Sequence, residues 1–137
     1  METNRYFKTS LNLLEDLANI QNFFGNLMHE RNVTDEICKI IHLIIDEVCV
    51  NVFSYNNFVD VKLDIYVTIS ETEINILFVD NGVQFNPIEY DEYKQVNLPV
   101  EERDIGGLGI YLIKHLADKL EYKYCDNKNQ FIFIKKM

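Results

Sequence analysis

Between residues 61 and 79 the chain carries a pattern that an antiparallel pair of strands satisfies and little else does. Val61, Leu63, Ile65, Val67 and Ile69 alternate with Lys62, Asp64, Tyr66, Thr68 and Ser70, the two-residue period of a strand buried on one face. After Glu71–Thr72, the run Ile74 to Val79 is nearly continuous in apolar character, as a central strand requires. So short a link cannot make a crossover, and the two strands must run antiparallel. The sheet they start needs a cover for its buried face.

The flanking segments supply that cover. Asn12 with Glu15 predicts a helix start, followed by Leu13, Leu14, Leu17, Ile20, Phe24, Leu27 and Met28 at helical spacing, with Arg31–Asn32 as its end. Thr34 predicts a second start, with Asp35 and Glu36 placed well against the helix dipole. Ile37, Ile40, Ile41, Ile44, Ile45, Val48 and Val52 form its stripe, and it stops near Tyr55–Asn57. Its β-branched content makes a strand the competing assignment; its length and its three-and-four spacing favour helix. Tyr6 to Thr9 reads as a short first strand. Residues 80 to 109 hold four of the five glycines and both prolines and read mostly as loop. A third helix is predicted over 108–118, then a hairpin from Glu121–Cys125 through a turn DNKNQ to Phe131–Ile134. The order β-α-α-β-β-loop-α-β-β predicts an α+β fold, a two-layer sandwich whose mixed sheet is covered by helices on one face.

With 137 residues this is the length of one domain, 1–137. Its 22 acidic and 13 basic residues give a formal charge of −9, which argues against direct nucleic-acid binding and requires any polyanion site to be a local arrangement. Cys38, Cys49 and Cys125 show no metal or disulfide spacing. No apolar leader and no run of about 18 apolar residues is present, so no membrane is expected and the location read is cytoplasmic. His29, His42 and His115 lie on helices outside any motif and read as structural.

Three places break the pattern of their own element. Glu47 and Asn51 sit one turn apart on the second helix, within the otherwise apolar IIDEVCVNVF. Buried there, they need partners; an amide oxygen suits Mg²⁺, and a carboxylate nearby suits a general base. A solvated helix edge is the other reading. DNGVQFNP, residues 80 to 87, follows the central strand: Asp80 can accept from an exocyclic amino group such as that of adenine, and Gly82 permits close approach. A plain turn is the alternative. Gly106, Gly107 and Gly109 then open an apolar helix, where free N–H groups can hold an anion, although glycines there also serve packing or capping. Neither a Walker loop nor a dinucleotide fingerprint is present.

Taken in order, E-x-x-x-N, D-x-G-x-x-F-N-P and G-G-L-G resemble the N, G1 and G2 boxes of the histidine-kinase-like (GHKL) ATPase superfamily. The single-domain length, the Phe-Asn-Pro and the closing KLEYKYCDNKNQFIFIKK resemble its anti-sigma-factor serine/threonine kinases. That resemblance implies ATP and Mg²⁺ as cofactors, with Asn51 as metal ligand and Glu47 as base for the attacking hydroxyl. It implies that Asp80 reads adenine, with Gly82 and Phe85 beside it, and that Gly106, Gly107, Leu108 and Gly109 meet the phosphates. Residues 89–105 would form a lid, and Arg103 would reach the γ-phosphate or a partner carboxylate. The implied activity is ATP-dependent phosphorylation of an anti-sigma factor antagonist of the STAS fold. A sigma factor is the other implied partner, and a homodimer the implied assembly. A non-catalytic ATP-binding module that sequesters a partner is the alternative. The chain departs from the family at Tyr55, where many relatives have histidine, and at Asn56 and Asn57.

Overall fold

The computed structural model describes residues 5–56, 61–90 and 107–137. Along the chain run β1 (Arg5–Leu11), α1 (Leu17–Glu30), α2 (Asp35–Tyr55), β2 (Leu63–Ile69), β3 (Glu73–Asp80), α3 (Gly107–Leu116), β4 (Lys119–Cys125) and β5 (Lys128–Lys136). One five-stranded sheet has the order β1-β2-β3-β5-β4. Alternation in the sequence becomes alternation in burial. Leu63, Ile65, Val67 and Ile69 of β2 are buried, as are Ile74, Ile76, Phe78 and Asp80 of β3, with half-buried residues between them.

That buried face joins the apolar faces of α1 (Ile20, Phe24, Leu27, Met28) and α2 (Ile41, Ile44, Ile45, Val48, Phe53) in a single cluster. This is the two-layer α+β fold expected. The sheet, however, is not mixed: every pairing is antiparallel. The connection through α3 does deliver a strand parallel to β3, namely β4, but its hairpin partner β5 takes the place beside β3. A pairing that would have been parallel is thereby replaced by two antiparallel ones.

Local chemistry explains the helix ends. Thr34 caps α2, its hydroxyl accepting from the Ile37 N–H at 3.4 Å, and Asp35 and Glu36 occupy the first turn. The first helix starts later than expected. No side chain caps at Leu13; a 3-10 turn over Leu14–Asp16 leads into α1 at Leu17. Asn32, at φ 58°, reverses the chain between α1 and α2. Gln21 then ties the two helices together, pairing with His42 Nδ1 at 2.5 Å and donating to the His42 carbonyl and to Asp46, both at 2.8 Å. Cys49 is fully buried and burial pushes its thiol up to about 12, so it behaves as a small apolar core residue. Among the described residues no helix is long and apolar enough to cross a membrane.

Candidate functional site

α2 crosses the sheet near the end of β3, and the two do not close over each other. Between them lies a cavity of about 500 Å³, its open mouth included. Val48, Asn51, Val52 and Tyr55 of α2 form one wall; Phe78, Asp80, Asn129 and Phe131 of the sheet form another, and Ile113 of α3 reaches it too. Apolar walls with a few placed polar groups are the usual build of a small-molecule site.

Asn51 is 6% exposed, and its Oδ1 has no hydrogen-bond partner among the described residues. An unsatisfied buried acceptor costs about 1–3 kcal/mol, which a ligand or cation at that atom would offset. No group of three or more His, Cys, Asp or Glu side chains that could hold a metal exists among the described residues. A single neutral oxygen suits a hard cation that takes its remaining ligands from phosphate and water, so Asn51 fits Mg²⁺ of that kind.

Across the cavity, Asp80 is held by its neighbours. Its Oδ1 accepts from the Gly82 N–H at 2.9 Å and from Asn129 Nδ2 at 3.0 Å. Burial raises its carboxyl above the ordinary 3.8, more than these two bonds lower it. Asn129 is itself a four-way junction. Its Nδ2 also donates to the Val83 carbonyl at 2.8 Å, while its Oδ1 accepts from the Phe85 N–H at 3.1 Å and the Tyr122 hydroxyl at 2.5 Å. With acceptors on one side and donors on the other, only one orientation of the amide satisfies all four. Asp80 and Asn129 are direct cross-strand partners, so the register of β3 against β5 makes this junction.

Gly82 does not stand beside open space. A side chain there would collide with the Asn56 amide, 2.6 Å from its Cγ. Asn56 fastens the loop after β3 to the end of α2, accepting from the Val83 N–H at 2.9 Å and donating to the Val52 carbonyl at 2.7 Å. Tyr55 lays its ring against Phe85, with centroids 4.5 Å apart and planes at 31°. Tyr90, outside the cavity lining, packs edge-on with Phe85 at 5.9 Å.

Glu47 is half-buried and stands one turn before Asn51, outside the cavity lining, against Gly109 in the first turn of α3. Burial and, after it, the Asp46 carboxylate hold its own carboxyl above the ordinary 4.5.

Of the residues expected from sequence, then, Asn51, Asp80 and Phe85 meet around one cavity, Gly82 flanks it, and Glu47 touches Gly109 beyond its wall. Gly107 opens α3. Arg103, Gly106 and the Leu108 side chain lie outside the described residues, as does the expected lid beyond Tyr90. Sequence reasoning missed Asn129, Asn56 and Tyr122. The polar run DNKNQ predicts a turn that includes Asn129, yet the turn is only Asp126–Asn127, both at positive φ (55° and 61°), and Asn129 already belongs to β5. The signal was available: stepping back by two from Phe133 and Phe131 along the inward face lands on Asn129.

Known proteins share this fold. The catalytic domain of the histidine kinase ThkA superposes with a TM-score of 0.54 at 14% identity, covering 95% of this chain and 97% of that one, a likeness of fold. The serine-protein kinase RsbW of Bacillus mycoides is 33% identical over 84 residues, 56% of this chain and 51% of the relative. RsbW of Bacillus cereus is 32% identical over the same shares. The chain thus spans about half the length of the curated relatives it matches. The family model described as "Histidine kinase-like ATPase domain" matches residues 11–135, from the end of β1 to the penultimate residue of β5. A match of that extent assigns the chain: it belongs to the histidine kinase-like ATPase family.

Proposed function

We propose that this chain binds Mg-ATP in the cavity between α2 and β3 and transfers the γ-phosphoryl group to a serine or threonine of a STAS-fold antagonist. By that transfer it would control a sigma factor through partner switching. The observation that carries the reading is the buried Oδ1 of Asn51, unpartnered among the described residues, across the cavity from the Asp80 carboxylate, whose described hydrogen bonds all fall on Oδ1. Asp80 presents an acceptor suited to the adenine amino group, and Tyr55 and Phe85 line the same cavity, where a purine would meet aromatic side chains. Asn51 would hold the Mg²⁺, which when bound neutralises charge on the phosphates. Gly107 and its neighbours at the start of α3 carry N–H groups with no intrahelical partner, suited to phosphate oxygens. As the acceptor oxygen bonds to the γ-phosphorus, the bond to the β,γ-bridging oxygen breaks, ADP leaves, and Glu47 takes the hydroxyl proton. The serine-protein kinase activity by which the RsbW relatives are named supports this reading, and a homodimer is the assembly we assign to it.

Asp80→Asn separates binding from folding. The new amide keeps an oxygen for Gly82 and Asn129, and turns an N–H₂ donor toward the cavity in place of the acceptor. We expect an unchanged or raised melting temperature and at least a tenfold weaker ATP affinity by titration; unchanged affinity removes the adenine assignment. With a purified STAS antagonist, wild type should yield phosphoprotein and Glu47→Gln should not. Tight ATP binding without transfer by wild type would instead favour a sequestering module.

A further inference from the structure

The glycine motif at the start of α3 invites a reading in terms of phosphate alone, but Gly109 faces protein. A Cβ placed there would overlap Oε2 of Glu47 and stand 3.0 Å from its Cδ and 3.6 Å from its Cβ. Neither backbone can yield. On α3, Ile110 and Ile113 are buried at 0% and 1% exposure and fix the rotation of the helix; on α2, Val48 and Cys49, at 5% and 0%, do the same. Close-packed cores resist shifts of even one methyl group. What can give way is the Glu47 side chain, and it would have to leave its place.

We propose that Gly109 is a positioning residue for the base: its missing side chain seats the Glu47 carboxylate against the first turn of α3. The inference rests on the reading of Glu47 as general base and deepens it. Asn51 lies about 5–6 Å from Glu47 along α2, one turn on, and Ile113, which reaches the cavity, lies one turn on from Gly109 along α3. The Glu47–Gly109 contact is therefore one point where the two helices that wall the site meet, one turn beyond the cavity. The start of α3, whose first N–H groups have no intrahelical partner, and the carboxylate that takes the proton form one packed unit. A displacement of the start of α3 moves the base with it.

The test is a cycle of Gly109→Ala, Glu47→Asp and the double variant. Each is measured for melting temperature, Mg-ATP affinity, and the rate of ADP formation at saturating Mg-ATP with a STAS antagonist as acceptor. Alanine is the better helix former, so without Glu47 in the way it should not destabilise α3. We expect Gly109→Ala to lower the saturated rate at least tenfold and to leave ATP affinity within threefold. Alanine's helix preference is offset in wild type by the displaced Glu47 side chain, so in the Glu47→Asp background, one methylene shorter, the same alanine should raise the melting temperature by more than it does in wild type. An equal change of melting temperature in both backgrounds overturns the proposed contact. A tenfold loss of affinity with the saturated rate unchanged overturns the positioning role and assigns Gly109 to phosphate alone. Should wild type bind no Mg-ATP, the proposed function falls, while the melting-temperature cycle still decides whether Glu47 is seated on Gly109.

Discussion

A single asparagine organises more of this site than any residue of its three motifs. Replacing Asn129 by alanine strips partners from the Val83 carbonyl, the Phe85 N–H and the Tyr122 hydroxyl, and removes one of two bonds to Asp80. With each unsatisfied buried group costing about 1–3 kcal/mol and water reaching some of them, a loss of about 3 kcal/mol is expected in urea denaturation. The carboxylates give a second prediction, with opposite signs for two observables. Glu47 and Asp80 are both raised by burial, so the folded chain keeps their protons to higher pH than the unfolded chain does. Their contribution to stability is therefore greatest below the unfolded values and is lost as pH rises through the folded ones. Phosphoryl transfer runs the other way, because a base works only when ionised. Its rate should rise with pH along a limb whose midpoint lies above 4.5 in the wild-type pH–rate profile.

At the scale of elements, periodicity was legible wherever one face meets the core. The β2–β3 hairpin and α2 follow directly from their repeating apolar positions, because burial on one face imposes a period that few other arrangements produce. Element ends were less legible. Asn12 looked like a cap, yet the chain makes a 3-10 turn after Leu13 before α1 begins. The polar run DNKNQ looked like a five-residue turn, but a two-residue turn with both φ positive matches the twist of its strands and leaves Lys128 to Gln130 in β5. That geometry makes a prediction. Asn127, at φ 61°, holds a conformation that glycine adopts without penalty, so Asn127→Gly should stabilise the domain by about 0.5 kcal/mol in thermal or urea unfolding.

For the whole molecule, a formal charge of −9 means that an anionic nucleotide must be drawn in by local groups and its own cation rather than by the overall field. Mg-ATP at 100 times its dissociation constant should add about 2.7 kcal/mol, or roughly 10 °C in melting temperature. Differential scanning fluorimetry at one fixed Mg-ATP concentration should show that shift in wild type and at most about half of it in Asp80→Asn. The amino-acid sequence alone settled the two-layer α+β class, the order of the elements and which residues were out of keeping with their surroundings, since these follow from local spacing. It could not settle that β5 enters between β3 and β4, because strand order is decided by long-range packing rather than by any window of residues. From that one placement follow the all-antiparallel sheet and the pairing of Asp80 with Asn129 across 49 positions. The packing of α3 on α2 is likewise a tertiary matter, and it sets Gly109 under Glu47. Contacts of this kind exist only once the chain has closed on itself, for the groups involved are brought together by the shared core and not by their neighbours in sequence.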